Sequence, residues 1–111
     1  MVVAGYLGSL GLMTSSPPPS VLDRATVLAY AILDASVNHT GSFTILFDGK
    51  PLAPVPQLAI CRNEGEVEVL LFHCDEQWQV LGATYLPTIE HAIERAEREY
   101  RGSTEKWQRV A

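Results

Sequence analysis

The sequence predicts an α+β fold: an antiparallel sheet of about four strands, with a C-terminal helix packed on one face and an N-terminal helix. Three patterns carry this expectation. Glu66–Cys74 and Gln77–Thr84 read as strands on either side of the polar turn Asp75-Glu76. Thr88–Arg101 sets Ile89, Ala92, Ile93, Ala96 and Tyr100 on one helical stripe. Val21–Ala35 spaces Val21, Ala25, Leu28, Ile32 and Ala35 as a core-facing helix would, and its alanines favour helix.

Met1–Met13 is apolar and glycine-rich. Its first arginine comes only at Arg24, so the basic region of a secretory signal is missing. It is also shorter than the roughly 20 apolar residues of a membrane span. Met13 is an alternative translation start. Ser15-Ser-Pro-Pro-Pro-Ser20 is a stiff, donor-poor break, so residues 1–19 are expected to be a flexible segment and residues 20–111 a single domain. Ser20 is a fitting N-cap for the first helix, with Asp23 in its first turn. A strand over Val27–Leu33 is the competing assignment, and Asn38–Gly41 ends the segment in either case.

Ser42–Asp48 alternates as a strand, and Asp48-Gly49-Lys50-Pro51 is a turn. Pro51, Pro54 and Pro56 make the next stretch a loop or a sheet edge, because proline has no ladder donor. Gln57–Arg62 is a short strand, and Asn63-Glu64-Gly65 suits a three-residue hairpin. In the strand after it, Glu66 and Glu68 point outward, Val67 and Val69 inward. From Leu70 to Phe72 both faces turn apolar, which marks a central strand. Trp78, Val80 and Gly82 then share a face. Thr88 is the N-cap of the last helix, Glu94–Arg98 and Glu97–Arg101 have ion-pair spacing, and Gly102 supplies the C-cap. Trp107 is apolar enough to fold back onto the domain.

Charge narrows the function. Eight Lys and Arg against thirteen Asp and Glu leave a net charge of −5, with Lys50 and Lys106 the only lysines. That balance argues against a nucleic-acid surface, which needs clustered cations. The helix and strand order resembles double-stranded-RNA-binding domains, but the helix end that would meet phosphates carries Thr88, Glu90 and His91. A hairpin at Asn63–Gly65 would put Cys61 opposite about Val67, away from Cys74. The two thiols are therefore expected to be reduced and partly buried, in keeping with a cytoplasmic protein.

His73-Cys74-Asp75-Glu76 is the densest reactive cluster. Strand neighbours point to opposite faces, so His73 and Cys74 do not readily share a metal ion. A nucleophilic pair of Cys61 or Cys74 with His39, His73 or His91 has no flanking motif, and neither a phosphate loop nor a dinucleotide glycine pattern is present. No catalytic residue, metal ligand or cofactor is expected. The surface that remains is acidic: Glu64, Glu66, Glu68, Asp75 and Glu76, at the turns and on one strand face, suited to a basic protein partner. A small enzyme or ligand-binding module with a Cys/His site assembled from distant residues is the alternative. An exposed edge strand would also allow a homodimer.

Leu71-Phe-His-Cys-Asp-Glu-Gln-Trp-Gln-Val-Leu-Gly82, Thr88-Ile-Glu-His-Ala-Ile-Glu-Arg-Ala-Glu-Arg-Glu-Tyr-Arg-Gly102 and Trp107 together resemble small uncharacterised bacterial proteins. In these a strand pair leads into an Ala/Glu-rich helix ending Glu-Tyr-x-Gly, with a Trp shortly after. Some toxin-immunity proteins are similar in size, acidity and α+β organisation. The resemblance implies a non-enzymatic role through protein–protein contact and transfers no catalytic residue.

Overall fold

Ala25–Ile32 is a β-strand, not part of a helix, and this one change moves the chain out of the α+β class. The computed structural model describes residues 16–43 and 45–110. In chain order the elements are β1 (Val21–Leu22), β2 (Ala25–Ile32), β3 (Asn38–His39), β4 (Leu46–Phe47), β5 (Lys50–Pro51), β6 (Gln57–Arg62), β7 (Val69–Cys74), β8 (Val80–Leu86), α1 (Ile89–Glu99), β9 (Tyr100–Arg101), a 3₁₀ turn (Ser103–Lys106) and β10 (Trp107–Arg109). One curled antiparallel sheet runs β1-β2-β6-β7-β8, and β10 joins it along the outer edge of β2. β3–β9 and β4–β5 are separate two-stranded pairs. The fold is thus mostly β, with a single α-helix among the described residues. The expectations for Met1–Met13 lie outside those residues.

The helical spacing in Val21–Ala35 has a specific cause. β2 pairs Val27 with Cys61 and Ala29 with Ile60, so Leu28 is an extra residue bulged out of the ladder. Before the bulge, Ala25 and Val27 pack into one core; after it, Ala29 and Ala31 pack into the core on the opposite face. Tyr30 and Ile32 return to the first of these. The inserted step of three between Val27 and Tyr30 mimics a helical period. The alanines serve as thin contacts: Ala29 and Ala31 sit in the same cluster as Ala92 and Ala96 of α1.

β6 and β7 are central, which is why both of their faces are apolar. Leu58, Ile60, Val69 and Leu71 lie beneath α1, while Ala59, Cys61, Leu70, Phe72 and Cys74 form the opposite core with Leu22 and Trp78. A fully buried Leu or Ile of this kind contributes about 1.5–3 kcal/mol. Gln57–Arg62 matches its predicted strand. Glu66–Glu68 does not: these residues belong to a longer β6–β7 loop, Val67 points out to solvent, and Cys61 pairs with Leu70. Asn63 accepts a turn bond from the Glu66 amide. Among the described residues of Ser42–Asp48 only the two-residue β4 is strand, closed against β5 by Asp48 and Gly49, both left-handed, as a two-residue Asp-Gly turn requires.

The β7–β8 turn is longer than predicted. The Asp75 carboxylate accepts the amides of Gln77 and Gln79, and its main-chain oxygen accepts that of Trp78. Trp78 adopts φ 63°, a conformation unfavourable for a bulky residue. Its buried indole and the Nε1–H bond to the Ser16 carbonyl hold it there. Cys74 pairs with Val80 and His73 with Gly82, leaving Leu81 as a second bulge. Val80 consequently shares a core with Trp78, whereas Gly82 lies on the α1 face beside Ile45, contrary to the predicted common face.

α1 starts as the sequence predicts, with Thr88 Oγ1 accepting the His91 amide at 3.1 Å. Its end differs. Thr40 N–H donates to the Glu99 carbonyl at 2.9 Å and its hydroxyl to that of Arg98 at 2.6 Å, satisfying helix-end carbonyls from β3's flank. Gly102, at φ 98°, instead opens the 3₁₀ turn. Neither Glu94–Arg98 nor Glu97–Arg101 forms an ion pair among the described residues. Glu97 takes the Gly102 and Thr104 amides, and the Arg95 guanidinium lies 3.8 Å over the Phe43 ring. Trp107 does fold back, as part of β10.

Candidate functional site

His73 and Cys74 separate onto opposite faces of β7, as strand geometry demands. His73 points beneath α1, where its Nε2 lies 2.9 Å from Glu99 Oε1. The two residues are only 1% and 3% exposed. The Tyr100 ring packs beside His73 and accepts the Val55 amide at its hydroxyl, and exposed His39 lies tilted against the same Tyr100 ring at 5.0 Å between centroids. His73 Nδ1 has no hydrogen-bond partner among the described residues. A His–carboxylate pair is a familiar acid/base unit, but no substrate reaches one sealed between sheet and helix. Here it joins α1 to β7. Glu99 was not singled out in the sequence; the available signal was an acid seven residues after Ala92 on the stripe that faces the sheet.

Cys61 and Cys74 are free and buried in the opposite core, so neither meets His39, His73 or His91 as a nucleophilic pair. His91 is exposed at the start of α1, 2.7 Å from Thr88 Oγ1. Burial pushes both thiols from 9.0 up to about 12, and for Cys74 the nearby Cys61 and Asp75 add to this. Burial likewise raises the Tyr100 hydroxyl from 10.0 to about 12. Thiolates are the reactive form of cysteine, so these two are inert in the folded chain.

The same shifts set an alkaline limit. Above pH 9 the unfolded chain loses these protons while the folded chain keeps them, so stability falls as pH rises from about 9 towards 12. Melting temperature should hold to about pH 9 and then decline. A Cys61→Ala/Cys74→Ala protein, less stable throughout, should decline with a shallower slope; equal slopes would remove the thiols from this account.

The acidic residues fall into two groups. Glu64, Glu66 and Glu68 crowd the β6–β7 loop and are all exposed, and between the last two stands Val67, 83% exposed. Asp75 and Glu76 lie at the other end of the six-residue β7, about 17–20 Å away by strand rise. Asp75 is engaged in its turn, and Glu76 is exposed. Glu66 and Glu68 therefore do not lie on a strand face. At the loop's end of the sheet the structure adds exposed Asp23, in the β1–β2 turn, and Glu90, near the start of α1.

An open surface pocket of about 350 Å³ is lined by Ser36, Glu97, Gly102, Thr104, Glu105 and Lys106. Its charges are largely engaged already. Glu97 is held below the ordinary carboxylate range, first by the Gly102 amide and then by Thr104. Lys106 pairs with Asp34 at 3.0 Å, and Asp34 is itself lowered by the Ser36 hydroxyl and Lys106. Among the described residues no group of three His, Cys, Asp or Glu side chains is placed to hold a metal ion, and no helix is long and apolar enough to cross a membrane. Set against known proteins, the chain matches no family model, no curated protein and no solved structure.

Proposed function

We propose that this domain is a non-enzymatic binding module that contacts a basic protein through the β6–β7 loop. The observation that carries the reading is Val67, 83% exposed between the exposed acids Glu66 and Glu68, with Glu64 in the same loop. An apolar tip ringed by negative charge suits a partner with a small hydrophobic depression inside a cationic rim. The charges would steer the encounter, and Val67 would supply the desolvated contact. Glu76, at the far end of β7, lies outside this surface. The burial of the chain's thiols and of its His–Glu pair supports binding over catalysis. Two unpaired cysteines fit a reducing compartment, and we place the domain in the cytoplasm. The toxin-immunity resemblance would make the partner a basic toxin.

The test compares the wild-type domain with a Glu64→Lys/Glu66→Lys/Glu68→Lys variant and with Val67→Ser as baits for basic proteins. The wild type should capture a partner whose association slows as salt rises. Charge reversal should slow association about tenfold or more at low salt. Val67→Ser should leave the on-rate and speed release. Equal capture by all three baits, with unchanged folding, would sink the loop as the contact surface.

A further inference from the structure

The two edges of the sheet are treated differently. Along β2 the outer edge is covered in both halves, by β1 opposite Ala25–Thr26 and by β10 opposite Ala29–Ala31. At the other margin β8 pairs only with β7 among the described residues. β8 lacks the usual protections of a bare edge. It contains no proline and no charge, and no charged residue occurs from Gln77 to Ile89. Its bulge at Leu81 blunts the start of the strand and leaves Gly82–Leu86 regular. Tyr85, 56% exposed, and Ala83 stand outward on the same face; Leu46, in β4 against β8, is exposed as well.

We infer that the occupant of this edge is β8 of a second copy, paired antiparallel about a two-fold axis at Thr84, independently of the β6–β7 loop contact. Self-complementarity selects this partner and this register. With Thr84 opposite itself, each Ala83 faces Tyr85 of the second copy, and each Gly82 faces Leu86 of the second copy. Small stands against large at every flanking position, on both faces of the sheet. The Tyr85 ring then covers the space that Ala83 leaves. Leu86 meets Ile45, whose methyl already fills the place above Gly82, where an added Cβ would lie 2.7 Å from it. The interface is isologous and closes at two copies, giving one continuous sheet across the dimer.

Sedimentation across a concentration series reads the oligomeric state, and cysteine pairs read the register. Wild-type chain should form a reversible dimer. Thr84→Lys, which sets two like charges directly opposite, should be monomeric at concentrations where the wild type is dimeric. Thr84→Cys should form a covalent dimer under mild oxidation, whereas Ala83→Cys, whose copies lie beyond disulfide reach in this register, should not. The native thiols are buried and do not confuse the result. Circular dichroism confirms that each variant is folded; should Thr84→Lys not fold, the two cysteine variants decide the matter alone. A wild type that stays monomeric at every concentration overturns the proposal. So does a dimer that survives Thr84→Lys, or one that cross-links through Ala83→Cys but not Thr84→Cys.

Discussion

Replacing His73 with alanine is expected to destabilise the domain by about 3–5 kcal/mol, a large part of the 5–15 kcal/mol typical of a domain. The loss comes less from the bond itself than from what remains. Glu99, buried beneath the sheet, keeps a carboxyl group that water does not reach and whose partner at 2.9 Å is gone. Glu99→Ala should cost a similar amount, since His73 Nε2 would join Nδ1 without a partner. Removing both polar groups is the informative control. A His73→Leu/Glu99→Met protein should recover most of the stability, because an apolar pair of similar volume carries no desolvation cost. Urea denaturation of the four proteins measures this directly. Single-mutant losses under about 1 kcal/mol would mean that the pair is relaxed or hydrated in solution.

Deleting Leu28 is expected to leave the domain folded, although the residue lies in the middle of a strand that serves both cores. Leu28 is the extra residue of the bulge, so its removal joins Val27, opposite Cys61, directly to Ala29, opposite Ile60, in a regular ladder. Strict alternation then keeps Ala25, Val27, Tyr30 and Ile32 on one face and Ala29 and Ala31 on the other, where they already pack. What is lost is the half-buried Leu28 side chain and the bond its carbonyl accepts at 2.9 Å from the Val110 amide, just past β10, together on the order of 1–3 kcal/mol. Leu28→Ala, which keeps the bulge and that bond, should cost less, on the order of 1–2 kcal/mol. Urea denaturation and amide dispersion compare the two variants with the wild type. A deletion protein that does not unfold cooperatively would show that β2 needs the bulge itself to reach both cores.

The candidate site was legible only in part. That His73 and Cys74 diverge follows from strand alternation, and the acids of the β6–β7 loop could be named from sequence. Their arrangement could not. A loop reaching to Glu68, rather than a tight turn at Asn63–Gly65, is what turns Val67 from a core residue into an exposed tip. The His73–Glu99 pair joins residues 26 positions apart on different elements, and neither residue signals the other.

Local chemistry alone determined several elements of this chain. Thr88 caps the last helix because its hydroxyl reaches an orphan amide, the stripe from Ile89 to Tyr100 turns that helix onto the sheet, and Gln57–Arg62 and Leu70–Phe72 are strands. Each of these rests on a period or a cap within a few neighbouring residues. What only the tertiary structure decided depends on breaks in period. The bulges at Leu28 and Leu81 shift alternation by one residue, and a shifted period of two over a short span counts like a helical one. Whether Val21–Ala35 became helix or strand was therefore settled by pairing with β6 and β10, which offered ladder bonds and two cores to serve at once, something an isolated helical stripe does not do.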